Sequence, residues 1–150
     1  MNTVKDKVAY ITGGSKGIGF GIAHTLIEAG MKVAISGRDK ESIEQAKHAL
    51  GNQNVLAIVS DVRNYEDEVK AIETIVKEFG KVDVVIANAG LGKFAPIDQL
   101  ALEDWHSMID TNLTGVFHTL KASVEQLKEH KGYYITICLL YTSPSPRDAT

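Results

Sequence analysis

Cysteine is nearly absent from this chain. Its one cysteine, Cys138, cannot close an intramolecular disulfide and has no cysteine neighbour to complete a metal-ligand spacing. That excludes the disulfide-stapled scaffolds and the small zinc modules; no metal site is expected, and stability must come from packing. Proline is scarce as well, with two of its three residues at positions 144 and 146. An excess of one charge is also lacking: 16 Lys and Arg face 19 Asp and Glu, with no long basic run. A nucleic-acid footprint or a polybasic membrane anchor is therefore not expected. No apolar stretch approaches a bilayer-spanning length, and the N-terminal residues run into a short apolar segment broken by Thr12-Gly13-Gly14 rather than into a signal-peptide core. The expectation is a cytoplasmic protein with no membrane or nucleic-acid partner.

What the chain does have is enough apolar material, 44% of 150 residues, for one domain with a core. Short apolar segments alternate with stretches of helical periodicity, the pattern of β-α-β units around a parallel sheet covered on both faces. Strands are predicted over Val8 to Ile11, Val33 to Ser36, Val55 to Val59, Val82 to Ala87 and Tyr133 to Ile137. Helices are predicted near Ile18 to Ala29, Lys40 to Leu50, Tyr65 to Phe79, Glu103 to Asp110 and Leu113 to Glu129. Gly30, Gly51, Gly80 and Gly132 stand where helices end in the left-handed conformation, and Asp39 is placed to cap the second helix. Leu113, Phe117, Leu120, Val124 and Leu127 form an apolar stripe on the last helix, expected to be buried in the core or at a subunit interface. The five histidines, His24, His48, His106, His118 and His130, are read as surface or packing residues.

The most informative stretch is Ala9-Tyr10-Ile11-Thr12-Gly13-Gly14-Ser15-Lys16-Gly17-Ile18-Gly19, a glycine-rich turn between a buried strand and a helix. Glycines there permit a tight turn and close backbone approach, while the free N–H groups and dipole of the helix start favour anionic oxygens. A dinucleotide pyrophosphate is the natural ligand; a merely tight turn is the alternative. A Walker P-loop is excluded, because Lys16 is followed by Gly17 rather than by Ser or Thr and the spacing differs.

The spacing is T-G-x-x-x-G-x-G, filled by Thr12, Gly13, Gly17 and Gly19, and it is followed in order by Ser60-Asp61-Val62, Asn88-Ala89-Gly90 and Asn112. With these motifs, residues 4 to 137 resemble the short-chain dehydrogenases/reductases, in particular the 3-oxoacyl-carrier-protein-reductase-like and the sugar or alcohol dehydrogenase members. The resemblance implies a Rossmann-type doubly wound α/β sheet of order 3-2-1-4-5 over residues 1 to 137, incomplete because a full member runs to roughly 250 residues. It implies a nicotinamide dinucleotide at Thr12, Gly13, Ser15, Lys16, Gly17, Ile18 and Gly19. Asp61 would contact the adenine amino group with Val62 against the ring; capping of the next turn is the other reading of Asp61. Asn88, Ala89 and Gly90 would line the nicotinamide side, with Ala87 where the family has a further Asn; a simple turn is the alternative there.

The form of the cofactor should be set at the end of the second strand, Ile35-Ser36-Gly37-Arg38-Asp39. Gly37 stands where an NAD-selecting acid would bind ribose, and Arg38, helped by Lys16, could pair with a 2′-phosphate. NADP(H) is favoured; NAD(H) is the alternative, through Asp39.

Of the four residues the family uses for hydride transfer, only one is legible. Asn112 matches the Asn that holds a water in the proton relay, a polar helix kink being the other reading. The chain has Cys138-Leu139 where the family has Ser-Ser, and no Tyr is followed four residues later by Lys. The segment from Cys138 to Asp148 resembles, codon for codon, a transposase-end sequencing adapter translated in frame, so residues 138 to 150 are expected to be a non-native tail. The expected parent is an NADP(H)-dependent oxidoreductase acting on a small-molecule carbonyl or alcohol, homo-oligomeric as a dimer or tetramer, with this chain inactive. The alternative is a non-catalytic dinucleotide-binding or sensor protein.

Overall fold

A computed structural model describes residues 4–51 and 53–138; residues 139–150 of the expected tail lie outside them. The strands are β1 (Val8–Thr12), β2 (Lys32–Gly37), β3 (Val55–Val59), β4 (Val84–Ala87) and β5 (Tyr133–Thr136). The helices are α1 (Gly17–Glu28), α2 (Lys40–Ala49), α3 (Tyr65–Phe79), α4 (Leu102–Ile109) and α5 (Gly115–Glu129). All pairings are parallel and the order is β3-β2-β1-β4-β5, as expected. The chain runs outward from β1 through β2 to β3, then crosses back to β4, so a crevice opens between the carboxyl ends of β1 and β4.

Alternation along the strands divides the core between two faces. Ala9, Ile11, Val33 and Ile35 pack against Ala23 of α1 and Ile43 and Ala46 of α2. Val8, Tyr10, Ala34 and Val85 face Ala71, Ile72 and Ile75 of α3 and Leu127 of α5. Central β1 is buried throughout, whereas edge strand β5 leaves Tyr133 and Ile135 exposed. At the amino ends of the strands, the buried Asp83 carboxylate accepts from Val8 N–H at 2.8 Å and pairs with Lys7 and Lys81 at 3.0 and 3.1 Å. Burial opposes its ionisation, but the Val8 N–H and the two lysines outweigh that and hold the carboxyl below its ordinary range.

Local punctuation follows the expectation at most helix ends. Asp39 accepts from Ser42 N–H at 2.9 Å and caps α2, and Gly30, Gly51 and Gly80 are left-handed. Gly132 is a correction: Lys131, with φ 50°, takes the left-handed position instead. Gly132 is needed for room, since a Cβ there would strike the Asp83 carbonyl oxygen and the Leu127 side chain.

The stripe on the last helix is divided: Leu127 reaches the core, Val124 is half-buried, and the rest is left to the interface alternative. Leu113, Phe117 and Leu120 are exposed, and α5 turns Gly115, Thr119, Ser123 and Leu127 inward. Small residues allow α5 to lie close to α3, and the Thr119 and Ser123 hydroxyls donate to the carbonyls of Gly115 and Thr119, so neither polar group is stranded. The helices predicted separately around position 110 are one continuous helix, joined by a π turn over Asp110–Thr114.

Candidate functional site

The crevice at the carboxyl ends of the strands is a cleft of about 810 Å³, within the range of small-molecule sites. Gly13, Ser15, Lys16 and Ile18 line it from the glycine turn, Arg38 from the end of β2, Asp61 and Val62 from the β3–α3 loop, and Asn88, Ala89 and Gly90 from the end of β4. Ten of the predicted site residues thus meet around one space; the other four, Thr12, Gly17, Gly19 and Asn112, are not among its lining.

Thr12 ends β1 with its hydroxyl oxygen accepting from the N–H groups of Asn88 and Ala89, both at 3.0 Å. In return the Asn88 side-chain amide donates to the carbonyls of Thr12 and Gly13 at 3.0 and 3.1 Å. The glycine turn and the Asn88-Ala89-Gly90 loop are therefore one cross-braced unit. Gly13, at φ 65°, passes so close that an added Cβ would sit 2.8 Å from Ala89 Cα. Gly19 has no room for a side chain against Asn88 and the Gly13 carbonyl, and Gly17, at φ 59°, faces open space. Gly14 was not among the predicted site residues; a Cβ there would lie 2.6 Å from Ile35 Cγ2, so it seats the turn on β2.

Asn112 sits on the π turn with both amide groups engaged by one residue: its oxygen accepts from Leu91 N–H at 2.9 Å and its nitrogen donates to Leu91 C=O at 2.8 Å. It thereby fastens the segment after Gly90 at the mouth of the cleft. The π turn also buries the adjacent Thr111 at the cleft wall, where its hydroxyl oxygen has no hydrogen-bond partner among the described residues.

At the other end, Asp61 accepts from Arg63, from the backbone N–H at 3.0 Å and from Nε at 3.0 Å. That hydrogen-bonded ion pair, with Arg38 adding to it, holds the Asp61 carboxyl below its ordinary range despite partial burial. Val62 packs on the bare Cα of Gly115, and its carbonyl accepts from His118 Nδ1 at 2.9 Å. His118 is thus a half-buried brace of this loop, a packing residue as expected.

Beneath the cleft lies a group that sequence reasoning missed. Glu68 is fully buried on α3, accepting from Ser60 Oγ at 2.6 Å and from Tyr10 Oη at 3.1 Å, with Ser36 Oγ a further 3.0 Å from Tyr10 Oη. Burial pushes its carboxyl up, against the pull of the Ser60, Thr119 and Tyr10 hydroxyls. Burial, then the nearby Glu68 charge, raises Tyr10 in turn. A signal was present: positions 68, 71, 72 and 75 are the inward stripe of α3, and an acid stands first in it. Arg63 also lines the cleft and was overlooked, although it directly follows Asp61-Val62.

The chain matches the family model for short chain dehydrogenases over residues 7–143. It belongs to the short-chain dehydrogenase family. An uncharacterized oxidoreductase of Staphylococcus aureus (strain MW2) is 35% identical over 138 residues, a span of 91% of this chain and 60% of that protein. An alcohol dehydrogenase from the archaeon Thermococcus sibiricus, complexed with 5-hydroxy-NADP, is 39% identical with a TM-score of 0.82, covering 87% of this chain and 57% of its own. A 3-ketoacyl-(acyl-carrier-protein) reductase from Brucella melitensis, complexed with NADH, is 32% identical with a TM-score of 0.80, covering 84% and 52%. This short-chain dehydrogenase chain therefore spans about 60% of the length of the curated relatives it matches.

The residues fit a nicotinamide dinucleotide. Gly13 and Gly19 leave no space for side chains where the turn is braced, and α1 begins without a side-chain cap on its first N–H groups. Among the described residues no cluster of His, Cys, Asp and Glu is placed to hold a metal, and no helix is long and apolar enough to cross a membrane.

Proposed function

We propose that this chain is the cofactor-binding part of an NADP(H)-dependent oxidoreductase that interconverts a ketone or 3-oxoacyl group and a secondary alcohol. The observation that carries the cofactor choice is the end of β2. Gly37 offers no acid to a ribose 2′-hydroxyl, while Arg38 and Lys16 line the same cleft. Asp39, the residue on which NAD(H) would depend, is committed to the Ser42 N–H at the start of α2. The Thermococcus and Brucella structures hold different cofactor forms, so family membership leaves this choice to the residues.

In this reading the α1 N–H groups and the glycine turn receive the pyrophosphate, Asp61 and Val62 receive the adenine, and the Asn88-Ala89-Gly90 loop walls the nicotinamide end. When bound, the nicotinamide supplies or accepts the hydride. Asn112, held by Leu91, would place a water for the proton relay. The 150 residues contain no Tyr-x-x-x-Lys, so the proton donor for a carbonyl oxygen is not assembled on them. That same feature favours a second reading, a non-catalytic dinucleotide-binding or sensor protein. The outward Leu113, Phe117 and Leu120 support a homo-oligomeric parent.

Two measurements test the proposal. Calorimetric titration with NADPH and NADH should show NADPH preferred by about ten- to a hundredfold, the value of a charge-assisted pairing, and Arg38→Ala should erase the preference. Equal or tighter NADH binding would refute it. Re-reading the gene from source DNA without transposase adapters should find a Ser near position 139 and Tyr-x-x-x-Lys beyond it; a repeat of codons 138 to 150 with a stop would establish the non-catalytic reading.

A further inference from the structure

The cleft holds a conflict that the reading above leaves unresolved. Asp61, placed to accept from an adenine amino group, is also an anion in a cleft meant to receive a 2′-phosphate. A purine amino donor tolerates a carboxylate nearby, whereas a phosphate does not. Among the described residues, the charged side chains lining the cleft are Lys16, Arg38, Asp39, Asp61 and Arg63. Arg63 reaches back two positions to Asp61, with Nε 3.0 Å from each carboxylate oxygen and Nη2 against Oδ2. Asp61 is largely shielded, its side chain 26% exposed, so its charge is screened less than that of a surface acid. With Arg63 the lining carries one net positive charge; without it, none.

We propose that Arg63 is a specificity-determining residue of the cofactor cleft, neutralising Asp61 so that a ribose 2′-phosphate can settle beside Arg38 and Lys16. This rests on the dinucleotide reading. Arg63 acts through Asp61 and is therefore a positioning residue: its planar fork occupies the carboxylate edge-on and leaves other lone pairs for the adenine amino group. The pair spans three consecutive residues of the β3–α3 loop, so neutralisation needs no closure of the cleft.

The test is calorimetric titration of the chain with NADPH and NADH, for the wild type, Arg63→Gln, Arg63→Lys and the double variant Asp61→Asn with Arg63→Gln. Circular dichroism melts would confirm that each variant is folded. Arg63→Gln should weaken NADPH about fivefold and NADH less than twofold, the effect of one unbalanced carboxylate sharing a cleft with a dianion. Arg63→Lys, which keeps the charge, should retain most of the preference. The double variant removes both charges, and since its loss at the adenine falls on NADPH and NADH alike, the NADPH-to-NADH affinity ratio, not the absolute affinity, should return to within about twofold of wild type. A double variant whose NADPH-to-NADH ratio stays as low as that of Arg63→Gln would overturn the proposal, because Arg63 would then be touching the phosphate itself. Equal losses for both cofactors would overturn it too, assigning Arg63 to the adenine or the fold. Failure of the wild type to bind either cofactor would refute the dinucleotide reading before any variant is compared.

Discussion

Glu68 offers the sharpest test of the physical account, because a fully buried carboxyl must leave a mark on stability. Its carboxyl is pushed above its ordinary value of 4.5, chiefly by burial. A raised value in the folded state means that the native protein binds this proton more tightly than the unfolded chain. The stabilising contribution is therefore complete below the ordinary glutamate range and is lost as pH rises through the raised value. Glu68→Gln keeps the shape and an oxygen to accept from Ser60 and Tyr10 but cannot ionise. Relative to that variant, the wild type should lose up to about 1.4 kcal/mol per pH unit across the window and run parallel to it above. Glu68→Leu separates the hydrogen bonds from the charge. Tyr10 can turn its proton to Ser36 Oγ, 3.0 Å away, so Ser60 is the hydroxyl left without an acceptor, at a cost of about 1–3 kcal/mol. Urea denaturation followed by circular dichroism between pH 4.5 and 8.5 measures all three proteins. Wild-type and Gln curves that stay parallel over the whole range would refute the reasoning, since the carboxyl would then titrate as though solvated.

Gly19→Ala should drive the Asn88 amide and the Gly13 carbonyl apart, breaking the brace between the turn and the β4 loop. The expected cost is about 1–3 kcal/mol, with at least a tenfold loss of dinucleotide affinity by titration; unchanged affinity would show that the brace does not shape the site. Asp83→Asn acts at the opposite end of the sheet. Because the folded value of Asp83 lies below the ordinary 3.8, its contribution is present above that value and is lost as pH falls through the depressed one. Wild type should exceed Asn by about 1–3 kcal/mol at pH 7, an advantage that shrinks toward pH 3 in denaturation curves. A constant difference would mean that the carboxylate charge is irrelevant there.

The strands and helices were legible in the sequence because their causes are local. β1, β2 and β3 are short, largely apolar runs, and α2 and α3 carry local end signals in Asp39 and Gly80. The cleft residues were legible because a tight turn carrying an anion-binding helix start allows few residue types at Gly13, Gly17 and Gly19. Other features depended on what came to lie next to what. Which face of α5 is covered was decided by its close approach to α3 through Thr119 and Ser123, and an apolar stripe by itself does not name its partner. Lys131 is left-handed, and Gly132 serves instead as the residue without a Cβ where Asp83 and Leu127 take the space. The Asn112 clamp on Leu91, 21 residues away, required the widened π turn.

Sequence by itself determined the element order, the parallel sheet and the glycine turn, since periodicity, capping and the conformational freedom of glycine act within a few residues. Only the tertiary structure decided that Glu68 lies buried against Tyr10, 58 residues away, and that Arg63 joins Lys16 and Arg38 in the cleft, paired with Asp61. Burial and electrostatic interaction depend on distance through space, and the β-α-β crossovers fix those distances only once the chain has folded.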